Sequence, residues 1–182
     1  MKIRNLLFAL LPALSFTVSA NGYLGVSFGS STVKADLSSL GGGNIDESTG
    51  MSKVYGGFRI NRYVAAEAAW FNLASVSVGQ VGTGPNAVSG SVDMKALGIY
   101  GVAFVPLAKH THFLVKAGGA NWDADLTRNT TTRSADGFDA FYGLGLSYGF
   151  TKNLAISADW EVIDSPNPEF STLSLGFRWD FR

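Results

Sequence analysis

At 182 residues the chain has room for one domain, and its charged fraction of 15% lies well below the ~25% usual for a soluble domain. With 14 basic against 14 acidic residues it lacks the basic excess that nucleic-acid binding requires. The absence of Cys excludes disulfides, thiolate metal sites and a lipidated N-terminal Cys.

Residues 1–20 read as a targeting segment. Lys2 and Arg4 precede the apolar run "NLLFALLPALSF", and "VSA" ending at Ala20 supplies the small residues that a signal peptidase cuts after. The run is too short to anchor a spanning helix, which needs ~20 apolar residues. The mature domain is therefore expected over 21–182. Without Lys2 and Arg4 the 14 basic residues fall to 12 against 14 acidic ones, a net charge of −2.

Beyond Ala20 a two-residue period replaces any helical one. In "YLGVSFG", Leu24, Val26 and Phe28 alternate with Tyr23, Gly25, Ser27 and Gly29. Over 51–60, Val54, Phe58 and Ile60 alternate with Lys53, Tyr55, Gly57 and Arg59. The period continues near 63–73, 92–105, 111–124, 138–150, 153–163 and 170–181, predicting eight strands. In the seventh, Leu154, Ile156, Ala158, Trp160 and Val162 oppose Ala155, Ser157, Asp159 and Glu161; in the eighth, Leu173, Leu175, Phe177, Trp179 and Phe181 oppose Thr172, Ser174, Gly176, Arg178 and Asp180.

The connections fall into two classes. "INRY", "PLAKHT" and "FTKN" are short; "KADLSSLGGGNIDESTG", "SVSVGQVGTGPNAVSG" and "DLTRNTTTRSADG" are long and polar, with "DSPNPE" a shorter relative of these. Short turns at one end and long loops at the other describe an antiparallel meander.

Strands of about ten residues match what a tilted strand needs to cross a bilayer. One face of each strand carries Gly, Ser and charges in place of bulky core residues. Aromatics gather at strand ends: Tyr63, Phe104, Phe113, Phe150, Trp179 and Phe181 near the short turns, and Trp70, Trp122, Tyr142, Trp160 and Phe170 nearer the long loops. Two aromatic girdles around an apolar band predict an all-β, eight-stranded antiparallel up-and-down transmembrane β-barrel, since a sheet spans hydrocarbon only when closed. The even strand count places both ends of the mature chain on the short-turn side, the periplasmic side in bacterial barrels.

Parity then sorts the charges. Val64, Ala66, Ala68 and Trp70 face lipid, while Ala65, Glu67, Ala69 and Phe71 face inward. Arg59, Lys116, Asp159 and Arg178 share the inward parity near the short-turn end. Together with Glu67 they are expected to form one ionic cluster, balanced by Glu161 or Asp180. Opposed charges relieve the cost of burial. Two readings remain open: charges that fill and satisfy the lumen, and a gate or conduction path. An eight-stranded interior is just wide enough for side chains, which disfavours an open pore.

"YLGVSFG", "YGGFRINRYVAAEAAW", "KAGGANWDADL" and "LSLGFRWDF" together resemble the OmpA-type outer-membrane β-barrel family over essentially the whole mature chain. The resemblance implies that Glu67 occupies the family's inward acid on the third strand, paired with basic lumen residues. It also implies that Lys116 matches a basic lumen position on the fifth strand and Asp159 an acidic one on the seventh. Ser147 and Ser157 stand where the family has an acid and a base, a departure that argues against the family's gate here. The peptidoglycan-binding domain into which larger members of the family continue is not expected here. The resemblance further implies residence in the outer membrane of a Gram-negative bacterium, among phospholipid and lipopolysaccharide. It assigns Phe181, although Arg182 follows, as the aromatic read by the barrel-insertion machinery.

Some small outer-membrane barrels are lipid-modifying enzymes, which need a nucleophile beside a His base. The two His, His110 and His112, fall at a short turn on the periplasmic side and read as turn residues, so no catalytic, metal or cofactor site is expected. "NTTTRSADG" and "LGGGN" are either ligand-contact loops, for adhesion to a host or cell surface, or merely solvated. A structural, surface-exposed barrel is the leading reading, with a narrow solute channel as its rival.

Overall fold

The computed structural model describes residues 21–36, 44–81, 88–128, 131–165 and 169–181. The predicted signal segment over 1–20 and the tips of the long loops lie outside them. Eight strands run β1 Gly22–Asp36, β2 Asn44–Arg59, β3 Val64–Val81, β4 Val88–Pro106, β5 Thr111–Arg128, β6 Thr131–Gly149, β7 Leu154–Asp164 and β8 Glu169–Asp180. Each pairs antiparallel with its neighbour in sequence, and β1 pairs with β8 to close the barrel. Closure leaves no unpaired edge at membrane depth.

The short turns are built by their own sequence. Ile60 and Asn61 both donate their N–H to the Val64 carbonyl, and Asn61 Oδ1 accepts from Tyr63 N and Val64 N at 2.7 and 2.9 Å. Thr151 Oγ1 plays the same part for Asn153 N and Leu154 N, while Phe150 and Thr151 donate to the Leu154 carbonyl. Asn and Thr at these positions bond the backbone two or three residues on, which is why they punctuate the chain there.

Alternation sets the two faces as expected. Leu24, Phe28, Val54, Ile99, Leu173 and Leu175 are exposed to the surroundings, whereas Tyr23, Lys53, Ala65, Glu67 and Phe71 are buried. Three aromatics assigned to the girdles do not belong there. Phe104, Trp122 and Phe170 are buried inside the barrel, because each has the parity of the inward charges on its strand or of its inward cross-strand partner. The exposed rings include Phe58, Tyr63, Tyr148, Phe150 and Trp179 toward the short turns, and Trp70, Phe138, Tyr142 and Trp160 further up, with Phe28 and Phe177 also on the outer face. Val162 also departs from expectation. It has outward parity but is 2% exposed, with Tyr142 across the ladder and Trp160 two residues earlier, rings 6.4 Å apart that flank it.

The strands are longer than the sequence periodicity indicates. β3 to β6 have 18 or 19 residues, against 11 and 12 in β7 and β8. Parts of all three long stretches read as loops are therefore ladder. Above the bilayer both faces meet water, so alternation disappears while main-chain pairing continues. Among the described residues, β2 and β3 part above Ser52–Asn72, and β6 and β7 above Ala140–Asp164.

Candidate functional site

The interior carries the chain's buried charges, and it sorts them into layers from the short-turn end upward. At the mouth, Arg59 at the end of β2 donates through Nε and Nη2 to Asp180 Oδ1 at 3.2 and 3.0 Å, and Arg178 Nε donates to Asp180 Oδ2 at 3.1 Å. Both guanidiniums lie over the Phe104 ring, at 4.3 and 5.3 Å from its centroid. A cation held against a ring face loses less on leaving water.

One layer deeper, Glu67 is three residues into β3 and 5% exposed. Its carboxylate accepts from two tyrosine hydroxyls: Tyr23 at 2.8 Å and Tyr100 at 2.5 Å. The expected pairing of Glu67 with a basic residue is not what the geometry gives. Among the described residues it has no ion pair within 4.0 Å. The reason lies in the registers. Glu67 stands opposite Gly57 and Tyr100, and Gly57 stands opposite Tyr23, so a phenol reaches it from either side.

The third layer is a network of four charged residues and one serine spanning the lumen. Lys53 Nζ donates to both Glu161 oxygens at 2.6 and 2.9 Å; Lys116 Nζ lies 2.8 Å from Glu161 Oε1 and 2.8 Å from Asp159 Oδ1; Ser157 donates to Asp159 Oδ2 at 2.6 Å. Lys53 also lies 5.0 Å from the Tyr55 ring centroid and 5.5 Å from that of Phe71.

Lys116 and Asp159 thus meet, as do Arg59 and Arg178 through Asp180, but the five expected residues form three groups and not one. Lys53 was absent from the expected set although its parity pointed inward. Across the three layers, Lys53, Arg59, Lys116 and Arg178 face Glu67, Asp159, Glu161 and Asp180, so these eight groups sum to zero. That balance makes burial of eight ionised groups tolerable.

Around the network, rings fill the barrel. Tyr100 and Phe141 stack at 4.2 Å, Phe71 packs 5.8 Å from Phe141, and Trp122 packs 5.8 Å from Phe170 while donating Nε1–H to Asp139 at 2.6 Å. Space for these groups comes from glycine. Gly25 stands opposite Tyr55, Gly57 opposite Tyr23, Gly143 opposite Glu161 and Gly145 opposite Asp159, and a Cβ at any of the four would run into the facing side chain.

Phe181 lies just past β8, half-buried, its N–H on the Gly22 carbonyl at 2.8 Å. His112 sits edge-on to Phe104 and His110 to Tyr148, at 6.3 and 6.4 Å. Among the described residues no group of three or more His, Cys, Asp or Glu is placed to hold a metal.

A closed antiparallel barrel with an apolar outer belt and a charge-balanced, packed interior defines an outer-membrane barrel. The family model for the outer membrane protein beta-barrel domain matches residues 6–181, and the chain belongs to that family. No curated protein matches it. Among solved structures, Neisserial surface protein A has 15% identity and a TM-score of 0.65, covering 90% of this chain and 98% of that one. Ail, the attachment invasion locus protein of Yersinia pestis, solved in complex with the heparin analogue sucrose octasulfate, has 16% identity and a TM-score of 0.58, covering 87% and 99%. The N-terminal β-barrel domain of Pseudomonas aeruginosa OprF has 14% identity and a TM-score of 0.59, covering 87% and 98%. At these identities the likeness is one of fold.

Proposed function

We propose that this outer-membrane barrel is a surface-display protein: a sealed structural cylinder whose upper ladders present loops for contact with a host or cell-surface ligand. In this reading residues 1–20 direct export, residues 21–182 insert, and Phe181 is read by the insertion machinery. The belt then sits among phospholipid and lipopolysaccharide. The observation that carries it is the filled lumen, in which eight balanced charges and a stack of rings occupy the bore. In this reading those charges act as internal staples and block the bore to water.

The ladders support the display half of the reading. A tilted strand crosses the bilayer in about 9–11 residues, so strands of 18 or 19 residues stand well clear of it. Ail, of similar fold, was solved with a sulfated ligand, which makes sulfated polysaccharide a reasonable first probe for the loops.

Purified protein in planar bilayers is expected to give no reproducible unitary conductance steps; discrete channels would overturn the sealed reading. Cells displaying the intact barrel are expected to adhere to host-cell monolayers or immobilised sulfated polysaccharide more strongly than cells whose residues 129–137 are replaced by Gly and Ser. Equal adherence would remove the contact role while leaving the barrel intact.

A further inference from the structure

At the short-turn rim, where the ends of β2 and β8 flank the start of β1, a cavity of about 320 Å³ opens, lined in part by Gly22, Arg59, Ile60, Arg62, Asp180 and Phe181. This volume is at the small end of ligand pockets. The lining is of two kinds. Arg59 and Asp180 have inward parity and belong to the mouth of the lumen, whereas Gly22, Ile60 and Phe181 have the parity of the lipid-facing side. The cavity therefore joins the polar mouth to the apolar belt.

Its charge is unbalanced. Asp180 is shared between Arg59 and Arg178, of which Arg59 lines the cavity, and Arg62 in the exposed turn adds a second lining guanidinium, so two positive groups line the cavity beside one carboxylate that Arg178 also engages; Glu67 lies a layer deeper and is taken up by tyrosines. A guanidinium carries five N–H donors in a fork suited to phosphate. Arg59 spends one N–H from Nε and one from Nη2 on Asp180 and keeps its side chain 24% exposed. Arg62 is exposed and lies over the Tyr63 ring, 4.6 Å from its centroid, beside the aromatic girdle.

The apolar side is open as well. Gly22 pairs with Phe58 on one flank and accepts the Phe181 N–H on the other, so the row across the lipid face reads ring, hydrogen, ring. Just beside it, Ile60, Trp179 and Leu24 are 65%, 53% and 52% exposed. A groove between rings, running down to a pair of arginines, fits an amphiphile with an anionic head.

We propose that this cavity seats one anionic glycerophospholipid of the periplasm-facing leaflet, its phosphate on Arg59 and Arg62 and an acyl chain laid over Gly22 between Phe58 and Phe181. A free phosphate would use the arginines alone. The groove is what selects the lipid.

The test is native mass spectrometry of the intact barrel released from mixed micelles containing phosphatidylglycerol, with an uncharged diacylglycerol of the same chains as the control. One phosphatidylglycerol is expected to remain per barrel. Arg62→Gln, in an exposed turn, should lower its retention about tenfold, the loss of one charge-assisted contact. Gly22→Leu, which leaves every charge in place, should lower it comparably by filling the groove. Heat-modifiable gel migration of both variants verifies that they fold. Equal retention of diacylglycerol, retention unchanged in Arg62→Gln, or displacement of the lipid by millimolar inorganic phosphate would each overturn the proposal, the last by showing a site for the free anion. None of these outcomes bears on whether the lumen conducts, so this site and the sealed-barrel reading fail separately.

Discussion

Lys53 on β2 and Glu161 on β7 meet across the bore, the ammonium within 2.6 and 2.9 Å of both carboxylate oxygens, although three strand-to-strand ladders separate them around the wall. The pair is a crossbeam. Removing one partner leaves a buried charge without its complement, at a cost of about 3–5 kcal/mol. Lys53→Met is therefore expected to lower the unfolding free energy in lipid or detergent by about that much. Adding Glu161→Leu restores neutrality, because Lys116 then pairs with Asp159 alone, and the double variant should recover much of the loss. Urea titration followed by Trp fluorescence reads both; a double variant no better than Lys53→Met would show that the pair is not coupled.

Glu67 depends on two phenols. Tyr100→Phe should cost about 1.5–3 kcal/mol, the range for a hydrogen bond to a charged group, and Glu67→Ala should cost more. The outward neighbour Ala68→Leu should stay within about 0.5 kcal/mol. Melting temperatures of the three proteins in one detergent decide this, and matched losses for Glu67→Ala and Ala68→Leu would refute a buried role for the carboxylate.

The lumen glycines are spacers. Gly57→Ala puts a methyl into the Tyr23 ring and is expected to destabilise by about 1–3 kcal/mol. At Gly101, whose added Cβ would come no nearer than 3.8 Å to the Ala117 carbonyl oxygen, the same substitution should be near neutral. Refolding yield and urea midpoint of the two variants, measured side by side, check the contrast.

Four tryptophans report the two faces. Trp70, Trp160 and Trp179 are about half exposed, and Trp122 is 8% exposed with its N–H on Asp139. In single-Trp variants, brominated acyl chains should quench Trp160 and Trp179 strongly and Trp122 weakly. Strong quenching of Trp122 would put that ring outside the barrel and break the parity on which the fold rests.

Much of this architecture was legible in the sequence, because lipid outside and packed polar groups inside impose a strict two-residue rhythm. Where the rhythm held, as in 64–71 and 173–180, strand, face and burial followed from it. The upper ladders were not legible, since main-chain pairing in water carries no side-chain signature. The partners of Glu67 were hidden for another reason. Parity says that Tyr23 and Tyr100 point inward, but only the registers set them at the same height as the acid. Lys53 could have been found by parity alone. It shares the inward parity of Arg59 on the same strand, and its partner Glu161 shares that of Asp159.

The strict rhythm also limits how such a gene can change length. Inserting or deleting one codon within 64–71 or 173–180 would swing Glu67 or Arg178 into acyl chains and drive Trp70 or Leu175 into the bore. Substitutions can accumulate one position at a time, but gains and losses of residues are confined to the hairpin tips. Family members should therefore differ most in the size of their crowns and least in the spacing of their walls.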